Sequence, residues 1–171
     1  MSFPRSVGQV PVYYNHFNTG RPATNDNNHN YNSSYNDESI FPKYEFGYGL
    51  SYTDFQYSNL QLNKKKMKSN EQIEVSVTIT NTGKYDGEEI VQMYLRDKVG
   101  SIVRPVKELR DFQKISLKTG EVKTIKFIIN REKLSFFNQE LKWVAEPGDF
   151  EPMIGASSRD IRLKDNFELV K

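Results

Sequence analysis

The side chains that could do chemistry in this sequence are many, but they do not converge. Glycoside hydrolysis needs two carboxyl groups about 5–9 Å apart. Glu88-Glu89, Glu132, Glu140 and Glu146 all fall at predicted strand ends or turns, where a solvated charge is the default. The two histidines, His16 and His29, sit in an Asn-rich stretch without repeated acidic spacing, so no metal site is expected. Gly47-Tyr48-Gly49 lacks the Gly-x-Gly-x-x-Gly spacing and precedes no predicted helix, which argues against dinucleotide binding. Ser157-Ser158-Arg159-Asp160 places a hydroxyl near a carboxylate without a histidine base, and reads as a hairpin turn. Asn32-Ser33-Ser34 matches a glycosylation acceptor, a pattern frequent by chance. Cysteine is absent, so there is neither a disulfide framework nor thiolate chemistry. No catalytic residue, metal or cofactor is assigned.

The elements that would position these side chains read as strands. Ile73, Val75, Val77 and Ile79 alternate with Glu74, Ser76, Thr78 and Thr80, the period of a strand with one wet face. Glu89, Val91, Met93 and Leu95 alternate with Ile90, Gln92, Tyr94 and Arg96, a strand with apolar character on both faces. Leu109 to Leu117 reads as two short strands or a bent one, and Ile125, Phe127 and Ile129 as another. Phe150 to Ile154 and the run from Ile161 to Leu169 complete the set. About seven strands parted by turn signals, with no helical stretch, predict an all-β immunoglobulin-like sandwich with an irregular N-terminal extension. Trp143 is expected in or against the core. Pro152 cannot donate to a ladder, so its strand is expected at an edge or at a bulge.

Composition divides the chain. From Asn15 to Asn36 there are eight asparagines, and asparagine favours turns over ladders. An aromatic-glycine cluster follows, from Phe41 to Tyr52. With 24 basic and 22 acidic residues the net charge is +2, which offers nucleic acid no basic stripe. No apolar run approaches the ~20 residues that would cross a bilayer.

Three stretches together carry a resemblance. Residues 3–16 (FPRSVGQVPVYYNH) and 19–22 (TGRP) are similar to the end of the α/β sandwich domain of glycoside hydrolase family 3. Residues 46–53 (FGYGLSYT) resemble the junction that follows it in those enzymes. Residues 91–97 (VQMYLRD), 104–109 (RPVKEL) and 146–150 (EPGDF) resemble their C-terminal fibronectin type III-like domain. Two positions depart from the pattern: Pro152 lies in a strand usually free of proline, and Thr119 stands where proline often precedes the glycine.

The resemblance implies a division into residues 1–45, a tail of the preceding domain with an Asn-rich linker loop, and 46–171, the sandwich. It implies that this part is not itself an enzyme, because the nucleophile and acid/base carboxylates of the family lie upstream. The parent would be a retaining β-glucosidase or β-xylosidase, periplasmic or secreted, and the expected partners are its own catalytic domains. Residues 1–45, parted from those neighbours, are expected to be disordered, to pack on the sandwich or to make oligomer contacts. Phe41, Tyr44, Phe46, Tyr48 and Tyr52 would otherwise form an exposed aromatic patch, and such patches mark interfaces. Asn30, Tyr31 and Tyr35 are candidates for the rim of the parent's active site. A carbohydrate-binding module, with Tyr31, Tyr35 and Tyr48 stacking on an oligosaccharide, is the alternative, followed by a protein-interaction domain unrelated to sugars.

Overall fold

The structure is a computed structural model that describes residues 1–9, 12–18, 22, 34–35 and 37–171 of the 171-residue chain. β-branched and aromatic residues at every second position favour pleated backbone, and the strands form where that pattern runs. In chain order they are β1 (Phe55–Leu62), β2 (Lys66–Lys68), β3 (Ile73–Asn81), β4 (Gly87–Asp97), β5 (Glu108–Leu117) and β6 (Val122–Ile129). A single helical turn, α1 (Arg131–Leu134), follows, with the Asn130 side chain accepting from Lys133 N at its start. Then come β7 (Phe136–Phe137), β8 (Trp143–Val144), β9 (Gly148–Gly155), β10 (Ile161–Lys164) and β11 (Phe167–Val170).

One sheet has the order β1-β3-β6, and the other β2-β11-β9-β4-β5 with β10 also on β9. The two bury a shared core. Ile73, Val75, Val77 and Ile79 of β3 and Ile125, Phe127 and Ile129 of β6 meet Val91, Met93 and Leu95 of β4, Phe150 and Ile154 of β9, and Leu169 of β11. This is the sandwich that the alternation predicts. The eleven strands exceed seven by β1, which the sequence reading does not pick out, and by β2, β7 and β8, which have only two or three residues. The segment from Leu109 to Leu117 is one strand rather than two, and its irregularity is a register shift against Met93 and Tyr94.

Two expectations need correction. Trp143 is not a core residue: it is 49 % exposed. It sits on the β7–β8 ribbon, outside both main sheets, with its ring 4.8 Å from that of Phe137. Pro152 is buried within β9, between β4 on one side and β10 and β11 on the other, so it is not at an edge. Its carbonyl accepts from Asp165 N at 3.1 Å, and Asp165 lies in the break between β10 and β11. In an antiparallel ladder a residue's N–H and C=O point to the same neighbour. The missing donor therefore faces Asp165, which lies opposite Pro152 in the common register of β10 and β11 on β9, so one bond of that pair is absent and the strand assignment breaks there.

Candidate interdomain surface

β4 is buried on both faces, and that decides where the surface forms. Val91, Met93 and Leu95 enter the core, while Gln92 and Tyr94, on the opposite face, are 4 % and 0 % exposed. Strand faces that point away from a sandwich core are ordinarily wet; here they are covered by residues 44–48. The Gln92 carboxamide donates to Gly47 O at 3.0 Å and to Ala156 O. Its Oε1 accepts from the Tyr94 hydroxyl at 2.6 Å. Gly47 has φ +80°, and a Cβ there would lie 2.2 Å from Gln92 Oε1, so both backbone and space call for glycine.

Further bonds hold the same segment. Ser158 N donates to Phe46 O at 2.9 Å, and the Ser157 hydroxyl to the Glu45 carboxylate at 2.9 Å. The Phe46 ring stacks on Tyr14 at 4.2 Å and 15°, and Tyr14 meets Tyr94 edge-on at 5.8 Å. The Tyr94 phenol is pushed above its ordinary range by burial first, then by the neighbouring Tyr14 and Glu45. It stays a neutral hydrogen-bond donor across the working pH range.

The N-terminal extension lies on this end of the sandwich. Phe3 N donates to Tyr44 O and Lys43 N to Phe3 O, both at 2.8 Å. Val106 N donates to His16 O at 2.9 Å, and Leu109 N to the Tyr14 hydroxyl at 3.3 Å. Gln9 is buried and donates to Ser39 O and Phe41 O. Of the three outcomes expected for residues 1–45, the described ones show packing on the sandwich.

These contacts leave an aromatic ridge in solvent. Phe3, Tyr44 and Tyr48 form a chain of rings, with centroids 6.4 and 5.3 Å apart, and are 54, 44 and 45 % exposed. Leu50 and Tyr52, which follow in sequence, are 88 and 97 % exposed. Phe41 is half-buried, with the Arg159 guanidinium over its ring at 3.4 Å. Phe46 is half-buried too, a support of the ridge rather than its outer face. Tyr35 is half-buried, whereas Asn30 and Tyr31 lie outside the described residues.

Sequence reading finds the ridge from its clustered aromatics but misses what anchors it. Phe3, Tyr14, Gln92, Tyr94, Ser157, Ser158 and Arg159 reach it only through the fold. The one available signal is β4's apolar character on both faces.

Residues 89–158 match the fibronectin type III-like domain family. The chain is 49 % identical over 170 residues to the periplasmic β-glucosidase of Salmonella typhimurium, covering 99 % of this chain and 22 % of that protein. It is 44 % identical over 164 residues to a β-xylosidase of Formosa agariphila, again covering 22 % of the relative. A crystal structure of the Listeria innocua β-glucosidase in complex with glucose superposes on all of this chain with a TM-score of 0.92 at 44 % identity, over 24 % of its own length. The chain thus spans about a fifth of the length of the curated relatives it matches. Residues 89–158 are thus a fibronectin type III-like domain, and over nearly its full length the chain is similar to the C-terminal part of glycoside hydrolase family 3 β-glucosidases.

Proposed function

We propose that this chain is the accessory domain of a family 3 β-glucosidase or β-xylosidase, periplasmic or secreted, which packs on the catalytic domains and fixes their orientation. In this reading residues 1–45 are the tail of the preceding domain with its linker, and residues 46–171 the sandwich. The observation that carries it is the exposed ring chain of Phe3, Tyr44 and Tyr48, with the adjoining Gly47 carbonyl bound by Gln92, together with the exposed Leu50 and Tyr52 that follow in sequence. An apolar surface this pre-ordered loses little conformational freedom on docking, and contiguous exposed apolar patches mark interaction sites. Phe41, Tyr44, Phe46, Tyr48 and Tyr52 are the contacts assigned to the interface.

The test is a chimera in which this chain replaces the matching portion of the Salmonella periplasmic β-glucosidase. The chimera is expected to hydrolyse an aryl glucoside. Tyr48→Ala with Tyr52→Ala is expected to lower the chimera's melting midpoint while leaving that of the isolated chain nearly unchanged. Equal shifts in the two settings would defeat the docking role.

A further inference from the structure

Beside the ridge lies a group of cations that the chain itself does not neutralise. The Arg159 guanidinium covers the Phe41 ring, and Arg5 Nε donates to Phe41 O at 3.0 Å. Lys107 donates its ammonium to Ser158 O, next to Arg159. Lys164, exposed on β10, lies close enough to act on Lys107 electrostatically, as does Arg159. Elsewhere on the sandwich several lysines are matched one to one. Lys64, Lys65, Lys66, Lys114, Lys126 and Lys133 each hold a carboxylate. Among the described residues, Arg5, Lys107, Arg159 and Lys164 form no ion pair with one. Glu151 acts on Lys107 without pairing with it, and Glu45 is engaged by Ser157.

That arrangement is unfavourable in the isolated chain. Like charges brought together repel, and the Lys107 amine is half-buried, so water compensates it poorly. Its pKa is driven down, by burial first and then by Lys164 and Arg159. The group adjoins the aromatic ridge through Phe41, so a surface docking on the ridge would also cover the cations.

We infer that Arg5, Lys107, Arg159 and Lys164 form the electrostatic half of the docking surface and receive an Asp- or Glu-bearing segment of the catalytic portion of a family 3 glycosidase. The inference rests on the docking reading above and adds the chemistry of the partner. Opposite charge at such a rim selects orientation and suppresses wrong arrangements.

Lys164→Glu tests it, because the two settings are expected to respond with opposite sign. In the isolated chain the new carboxylate faces Lys107 and Arg159, and the melting midpoint is expected to hold or rise. In the chimera it faces the partner's carboxylates, and the midpoint is expected to fall; Lys164→Gln should fall less. Shifts of the same sign in both settings, with Tyr48→Ala and Tyr52→Ala still lowering the chimera's midpoint, would overturn this inference and leave docking intact. A chimera in which neither set matters would remove the docking reading and this inference with it. Stabilisation of the isolated chain by millimolar phosphate, lost in Lys164→Glu while the chimera is unaffected, would identify a free-anion site and overturn the carboxylate partner.

Discussion

Replacing Gln92 by leucine removes a carboxamide from β4 while keeping a side chain of similar size. Three partners lose their bonds at once: the Gly47 and Ala156 carbonyls, which accept from Nε2, and the Tyr94 hydroxyl, which donates to Oε1. Gly47 is exposed and Ala156 half-buried, so water can replace much of what those carbonyls lose, whereas Tyr94 is fully buried. A buried polar group left unpaired costs about 1–3 kcal/mol. Counting Tyr94 in full and the carbonyls in part gives a loss of about 2–4 kcal/mol. For a chain of this size that is a fall in melting midpoint of about 4–16 °C. Tyr94→Phe deprives Gln92 Oε1 of its donor but leaves the two carbonyl bonds, so about 1–2 kcal/mol is expected. Urea unfolding followed by far-ultraviolet circular dichroism gives both values, and the double variant gives their coupling. Hydrogen exchange at Ser158 N, which is bonded to Phe46 O, should quicken more in Gln92→Leu than exchange within β3. A loss below about 0.5 kcal/mol, within the range of ordinary surface substitutions, would refute the view that this side chain holds the ridge in place.

Gly47→Ala strains a left-handed residue and drives a methyl group into Gln92, so it should cost about 1–3 kcal/mol, read by the same unfolding assay. Arg104→Met leaves Asp97 buried with its ion pair removed, while Glu108 keeps Arg110 as its partner; the expected cost is about 2–4 kcal/mol, checked by thermal unfolding. Glu89 accepts from the Tyr57 hydroxyl at 2.6 Å, and burial raises its pKa above the ordinary 4.5 more than that bond lowers it. A carboxyl raised on folding binds its proton more tightly in the native state, so its contribution is full at pH below 4.5 and is lost as pH rises through the folded value. Glu89→Gln should therefore flatten that part of the stability profile, measured as unfolding free energy against pH for both proteins. An unchanged difference between them across the window would contradict the assignment. Titration of the isolated chain with cello- or xylo-oligosaccharides should give no binding; millimolar or tighter affinity would favour the carbohydrate-module reading.

The parts of the fold legible in the sequence are those whose physics is local. The alternation over Ile73–Ile79 predicts β3, and each apolar residue of that run is fully buried. Ser157-Ser158-Arg159-Asp160 reads as a turn and joins β9 to β10, with the Ser157 hydroxyl accepting from Asp160 N at 3.0 Å. Trp143 misleads because size and apolarity argue for burial, whereas the short ribbon holding it lies outside the main sheets. Pro152 misleads because its cost depends on which neighbour faces its nitrogen, and that neighbour is thirteen residues away, at Asp165. The ridge is legible because its aromatics cluster between residues 41 and 52. Its anchors are not, since Gln92 and Ser158 meet Phe46 and Gly47 only after the sheets assemble. Arg5, Lys107, Arg159 and Lys164 are likewise far apart in the chain.

The most direct measurement is hydroxyl-radical footprinting of Tyr44, Tyr48 and Tyr52, in the isolated 171-residue chain and in the active chimera. Docking onto the catalytic portion predicts rapid labelling of all three in the free chain and strong protection in the chimera. Equal labelling in the two, while the chimera still hydrolyses its substrate, would contradict it.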